Sequence, residues 1–186
     1  MCELYGITGD IPVRANDMLK EFYTHSHKQP HGWGMRYFNK DGAVSMCKEA
    51  VGAHDSLLLP GLLNHDIRTS VLIAHIRYAT IGSIAKSNSH PFTARDSSGR
   101  EWTLAHNGNI YSGMELLPYP DTQAGETDSE RVLLYLTDAM SKAFNDAGCP
   151  LDAVQRAALL DEKIAAIAKR NKLNLLIYDG EVYYIH

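Results

Sequence analysis

Residues 2–9, Cys2-Glu3-Leu4-Tyr5-Gly6-Ile7-Thr8-Gly9, follow Met1 directly and alternate well enough to predict a β-strand that begins at the very start of the chain. The strand makes Cys2 the residue to explain. A thiol is a poor nucleophile until it becomes a thiolate. A cysteine at a mature N-terminus carries its own base, because the α-amine, with an ordinary pKa of about 7.7–8.0, sits on the same residue. Removal of Met1 is expected, since aminopeptidases act where the second residue is small. The competing account is a small buried hydrophobe on the first strand. Position alone favours that second account, so the rest of the chain decides.

Working outward, residues 13–23 read as a helix, and Met35-Arg36-Tyr37-Phe38 as a strand behind the polar stretch that ends in His31-Gly32-Trp33-Gly34. Asn39-Lys40-Asp41-Gly42 is a turn signal, and residues 43–47 form the returning strand of a hairpin. Residues 70–77 are a buried-strand pattern, and residues 101–106 another, ended by Asn107-Gly108. Beyond Asp128 the period changes: Val132, Leu136, Met140 and Phe144 recur every four residues, the stripe of an amphipathic helix. A second helix is expected over 152–170, with Pro150 near its start. The chain closes with apolar residues 175–178, Asp179-Gly180 and residues 182–185, a hairpin with an Asp-Gly turn. Strands, two long helices and strands again suggest an α+β layered domain.

The 186 residues suit one domain, and 45% hydrophobic with 22% charged residues is an ordinary globular balance. A net charge of −4 gives no reason to expect nucleic acid or an anionic membrane as the main partner. No apolar run reaches the roughly 18 residues a bilayer requires, and the N-terminus lacks a basic, then apolar, leader, so a cytoplasmic protein is expected. The three cysteines (Cys2, Cys47, Cys149) show no CxxC or zinc spacing and are expected to be free thiols. His25, His27 and His31 form a crowded stretch, but its spacing fits no standard zinc module; a solvated loop is the simpler expectation. No GxSxG, P-loop or GxGxxG pattern supports a serine hydrolase, nucleotide hydrolase or dinucleotide enzyme. His75, His90 and His106 read as structural. No metal and no cofactor is expected.

Five segments follow Cys2 in order: His31-Gly32-Trp33-Gly34, Ala74-His75-Ile76-Arg77-Tyr78-Ala79-Thr80, Asn88-Ser89-His90-Pro91-Phe92, Leu104-Ala105-His106-Asn107-Gly108-Asn109-Ile110 and Gly125-Glu126-Thr127-Asp128-Ser129-Glu130. Together they resemble the glutaminase domain of class II glutamine amidotransferases, in the N-terminal-nucleophile (Ntn) hydrolase superfamily, and most of all its stand-alone members. The resemblance implies a four-layer αββα fold of two antiparallel sheets between helices, over residues 1–186 as one domain. It implies that Cys2 is the nucleophile, with Asn107 and Gly108 as the oxyanion hole. Each is chemically apt: attack on a carboxamide creates an oxyanion that needs fixed donors, Asn107 has a side-chain NH₂, and Gly108 offers its N–H with no Cβ in the way. Arg77 suits the α-carboxylate of glutamine and Asp128 its ammonium. Asp128 also suits a helix start that Thr127 could cap. Thr80 is expected to bond substrate or to hold the Arg77 loop, and Gly32, Trp33 and Gly34 to shape the wall beside Cys2.

Two departures are visible. Ile81 follows Thr80 where the sugar-phosphate synthase members have histidine, and family domains commonly continue beyond the closing hairpin, so the chain is either a short member or cut at a sheet edge. No synthase segment follows, so ammonia would pass to a separate partner protein or be released. Two other functions stay open at this point: an Ntn cysteine hydrolase of another γ-glutamyl or acyl amide, and a non-catalytic module that retains the fold.

Overall fold

The computed structural model describes residues 1–39 and 42–186. Lys40 and Asp41, in the middle of the expected Asn39–Gly42 turn, lie outside the described residues. The chain divides into two compact units, Met1–Pro91 and Phe92–His186.

In the first unit, β1 (Glu3–Arg14), β2 (Trp33–Asn39), β3 (Val44–Glu49) and β4 (Arg68–Ile76) form one antiparallel sheet in the order β1-β4-β2-β3. Strand parity sorts its side chains. Trp33 and Met35 of β2, and Leu72, Ala74 and Ile76 of β4, share one core with Leu19, Phe22 and Tyr23 of α1 (Asn16–Thr24) and with Leu59 and Leu63 of α2 (Leu59–Asn64). A single buried amide joins the two helices: Asn16 Nδ2 donates to the Leu63 and His65 carbonyls (2.9 and 2.7 Å), and its Oδ1 accepts the Ile67 N–H. The helix expected from residue 13 starts later. Val13 and Arg14 pair with Thr69 and Arg68 beyond a register shift, so the β4 ladder holds both as the end of β1.

In the second unit, β5 (Phe92–Arg95), β6 (Glu101–Asn109), β7 (Lys172–Tyr178) and β8 (Tyr183–Ile185) form an antiparallel sheet in that order. Against it lie α3 (Asp128–Ala147) and α4 (Ala153–Ala168). Val132, Leu136 and Met140 of the expected stripe are buried with Trp102, Leu104 and Ile177. Thr127 caps α3 by accepting the Glu130 N–H, and Gly148, at φ +67°, ends it. Asp152 and Gln155 close a reciprocal capping box at the start of α4. One expected boundary moves: Asn107 and Gly108 do not end the strand. They pair with Asn174 and Leu173, and β6 continues to Asn109. The expected α+β class, with two antiparallel sheets and helices, is the fold found. Among the described residues, no helix is long and apolar enough to cross a membrane.

Candidate active site

The first unit carries Cys2, Gly32, Trp33, Arg77 and Thr80. The β1–β4 register, with Glu3 opposite Ile76, brings Cys2 beside the segment just after β4. There the Tyr78 N–H donates to Cys2 Sγ at 3.2 Å, and the Tyr78 carbonyl lies 3.5 Å from the same sulfur. Burial pushes the Cys2 thiol up from its ordinary pKa. The Tyr78 N–H, the positive charge at the chain terminus and the Arg77 guanidinium pull in the other direction. Met1, in front of it, is 84% exposed.

Arg77 is buried, at 2% exposure, and its guanidinium is turned onto its own loop. It donates to the carbonyls of Ser83 (2.9 Å), Ile81 (3.0 Å) and Gly82 (3.4 Å). Thr80 is exposed on that loop. Gly32 has φ +146°, and a Cβ there would meet Ser89 Oγ at 2.7 Å and the Glu49 carbonyl oxygen at 3.0 Å. Trp33, expected in the substrate wall, has its indole in the helix-side core. It is fully buried, 5.5 Å from the Tyr23 ring, and donates Nε1–H to Glu49. Only its backbone remains for a wall.

The second unit carries Asn107, Gly108 and Asp128. The Asn107 carbonyl accepts from Asn174 Nδ2 at 2.7 Å, which fixes the residue on β7. A Cβ on Gly108 would overlap the Lys172 carbonyl oxygen, so the glycine is required by the approach of β7. Asp128 is the first residue of α3; its carboxylate accepts the Ser129 N–H (2.8 Å) and the Ile110 N–H (3.2 Å), tying the strand-end loop to the helix start. Glu130 holds the Ala124 and Gly125 N–H groups at 2.8 Å each. His106, which the sequence reads as structural, links β6 to β7 and to the start of α3. Its Nε2 faces the Lys172 carbonyl at 3.0 Å and its Nδ1 the Ser129 hydroxyl at 2.9 Å. A carbonyl can only accept, so the proton is on Nε2 and Ser129 donates to Nδ1. Burial lowers the His106 pKa, more than the Lys172 carbonyl and Asp128 raise it, and favours the neutral ring this arrangement needs.

Residues 1–186 match the family model of the class-II glutamine amidotransferases. The chain belongs to this family. It is 30% identical over 190 residues to YafJ of Escherichia coli, a protein provisionally named as a glutamine amidotransferase, with 97% of this chain and 70% of YafJ covered. It is 38% identical over 144 residues to an uncharacterised protein of Methanocaldococcus jannaschii, covering 76% of this chain but 39% of that protein. The chain therefore spans well under half of one curated relative and about two thirds of another. A crystal structure from Pseudomonas aeruginosa, an amidotransferase by prediction, superposes with a TM-score of 0.68 at 24% identity, over 99% of this chain and 72% of that one.

The histidine-rich stretch, expected as a solvated loop, is tied to the rest of the first unit. Its three imidazoles go to three separate partners: His25 Nδ1 to the Glu3 carboxylate (2.7 Å), the His27 ring to the His54 ring (4.3 Å) and His31 Nδ1 to the Ala79 N–H (2.9 Å). Among the described residues no group of three or more His, Cys, Asp or Glu side chains is arranged to hold a metal ion.

Proposed function

We propose that the chain is one amidotransferase domain that hydrolyses the side-chain amide of glutamine to glutamate and ammonia through an N-terminal cysteine thioester. The observation that carries this reading is the setting of Cys2: a thiol at the head of β1, within 3.2 Å of the Tyr78 N–H donor and behind a Met1 that is 84% exposed. With Met1 removed, the Cys2 α-amine takes up the thiol proton, directly or through water, and the sulfur attacks the γ-carboxamide carbon. Asn107 Nδ2 and the Gly108 N–H stabilise the oxyanion. The C–N bond breaks, ammonia leaves with the returned proton, and water cleaves the γ-glutamyl thioester to glutamate. Arg77 holds the α-carboxylate and Asp128 the α-ammonium, with Thr80 and the backbone of Gly32 and Trp33 alongside.

Arg77 has a second task in this scheme, because its guanidinium already gathers the 81–83 carbonyls. Carboxylate binding then draws on the same fork of donors that orders the loop. Ammonia passes to a separate synthase protein in the cytoplasm or is released. The test pairs intact mass with ammonia release on one sample, using glutamine and other γ-glutamyl amides. The reading predicts a mass lower by one methionine and ammonia release lost on Cys2→Ala. Retained Met1, or release that survives Cys2→Ala, overturns it.

A further inference from the structure

His31 lies outside the roles assigned above, yet its ring is joined to the nucleophile through two consecutive amides. Its Nδ1 accepts the Ala79 N–H at 2.9 Å, and the neighbouring N–H, that of Tyr78, donates to Cys2 Sγ at 3.2 Å. The backbone around the ring is tied to the same segment. The His31 N–H donates to the Arg77 carbonyl (3.1 Å), and the Arg77 N–H donates to the Gly32 carbonyl (2.8 Å). The imidazole also lies against the Tyr78 ring, with centroids 5.0 Å apart. Residues 31–32 thus grip residues 77–79 by two main-chain bonds and one side-chain bond. The main-chain pair continues the β2–β4 ladder and would survive any side chain at position 31. Beyond it, where the chain leaves β4 and no ladder constrains the direction of the Tyr78 N–H, the imidazole holds residue 79 while the Arg77 guanidinium holds residues 81–83.

The geometry points to His31 as a positioning residue that, by accepting the Ala79 N–H, aims the Tyr78 N–H at the Cys2 sulfur. An N–H can be given only to a lone pair, so the working form of the ring has Nδ1 bare and its proton on Nε2. The aimed donor matters because it stabilises a thiolate, and later the sulfur that leaves when the thioester is cleaved. The Tyr78 N–H is also the largest influence opposing the rise that burial imposes on the Cys2 thiol. The inference rests on Cys2 being the nucleophile, as proposed above.

The test separates acceptor from ring. His31→Asn keeps an acceptor near the place of Nδ1 and loses the ring; His31→Phe keeps a ring against Tyr78 and loses the acceptor. Two quantities are read on each folded variant, judged by its melting curve: kcat and KM for glutamine, and the rate of iodoacetamide alkylation of the Cys2 peptide followed by mass spectrometry. His31→Phe should lower kcat by roughly 10- to 100-fold with KM moved less than about threefold, and should slow Cys2 alkylation in parallel. His31→Asn should recover most of both. If His31→Phe does not fold, His31→Ala takes its place, with added imidazole expected to restore the alkylation rate. Equal losses in His31→Asn and the acceptor-free variant, or an acceptor-free variant that reacts like the parent, overturn the inference. Alkylation needs no turnover, so it tests the bracing of Cys2 even where the parent releases no ammonia. That last outcome defeats the proposed function and not the positioning role.

Discussion

At Cys2 two opposing influences meet on one sulfur, and the residue-scale predictions follow from them. Cys2→Ala removes the attacking atom and little packing, so ammonia release should fall by at least about 10³-fold while the melting temperature holds. Arg77→Lys keeps the charge but loses the planar fork that spans several acceptors. It should raise KM for glutamine at least about tenfold, read by steady-state kinetics, since a single ammonium cannot gather the 81–83 carbonyls and a carboxylate together. Gly108→Ala should destabilise the fold by about 1–3 kcal/mol through overpacking, measured by urea denaturation, because its Cβ meets the Lys172 carbonyl. The need for glycine at 108 was legible from its motif, but the packing part of the reason was not. The sequence pointed to an open approach for substrate, whereas the structure adds the backbone of β7, whose partner residues lie more than sixty positions away. Trp33 teaches the complementary lesson. A strand's period says which residues share a face, but which face meets the core depends on the helices that cover it.

Among the elements, the long helices were the most legible, because the period of α3 and the proline ahead of α4 are local signals. The Gly125–Glu130 segment builds the start of α3 and ties it to the loop after β6. Thr127 caps it, Glu130 reaches back to two amides, and Asp128 holds Ile110. Thr127→Ala should therefore cost about 1 kcal/mol of stability, measured by thermal denaturation followed by circular dichroism. The strands were less legible. β1 runs on to Arg14 because β4 pairs with it past a register irregularity, overriding the helical look of residues 13–15. β5 is not legible, because Phe92–Arg95 is too short for its alternation to stand out from chance. The three histidines of residues 25–31 looked like one cluster along the chain. Folding sends them to three partners, because β1, the 54–55 turn and the segment after β4 all converge on that stretch from elsewhere in the sequence.

For the molecule as a whole, resistance to acid should depend on a residue that the sequence marked only as a turn. Asp179 is fully buried and accepts from Arg156 Nε (2.7 Å), the Tyr184 hydroxyl (2.9 Å) and the N–H groups of Glu181 and Val182. Burial alone would push its carboxyl pKa up; the donors, led by the Val182 N–H and Arg156, bring it below the ordinary value instead. With the folded pKa depressed, the stabilisation is fully present above the unfolded value of about 3.9 and is lost as pH falls through the folded one. Urea midpoints taken downward from pH 6 should drop below about pH 4, and Asp179→Ala should flatten that dependence. The same substitution should cost about 3–5 kcal/mol at neutral pH, because it strips a partner from the buried Arg156. The Asp-Gly turn could be seen in the sequence, but the guanidinium that meets it, 23 residues earlier on α4, could not.

The burial of Trp33 also has a spectroscopic consequence. The chain has two tryptophans: Trp33 lies in the core of residues 1–91 and Trp102 in that of residues 92–186. Tryptophan fluorescence therefore carries one emitter for each half of the polypeptide. Trp33→Phe would leave a chain whose tryptophan emission, excited selectively over the ten tyrosines, reports on residues 92–186, and Trp102→Phe one whose tryptophan emission reports on residues 1–91. A red shift on denaturation could then be assigned to one half or the other without attaching a dye.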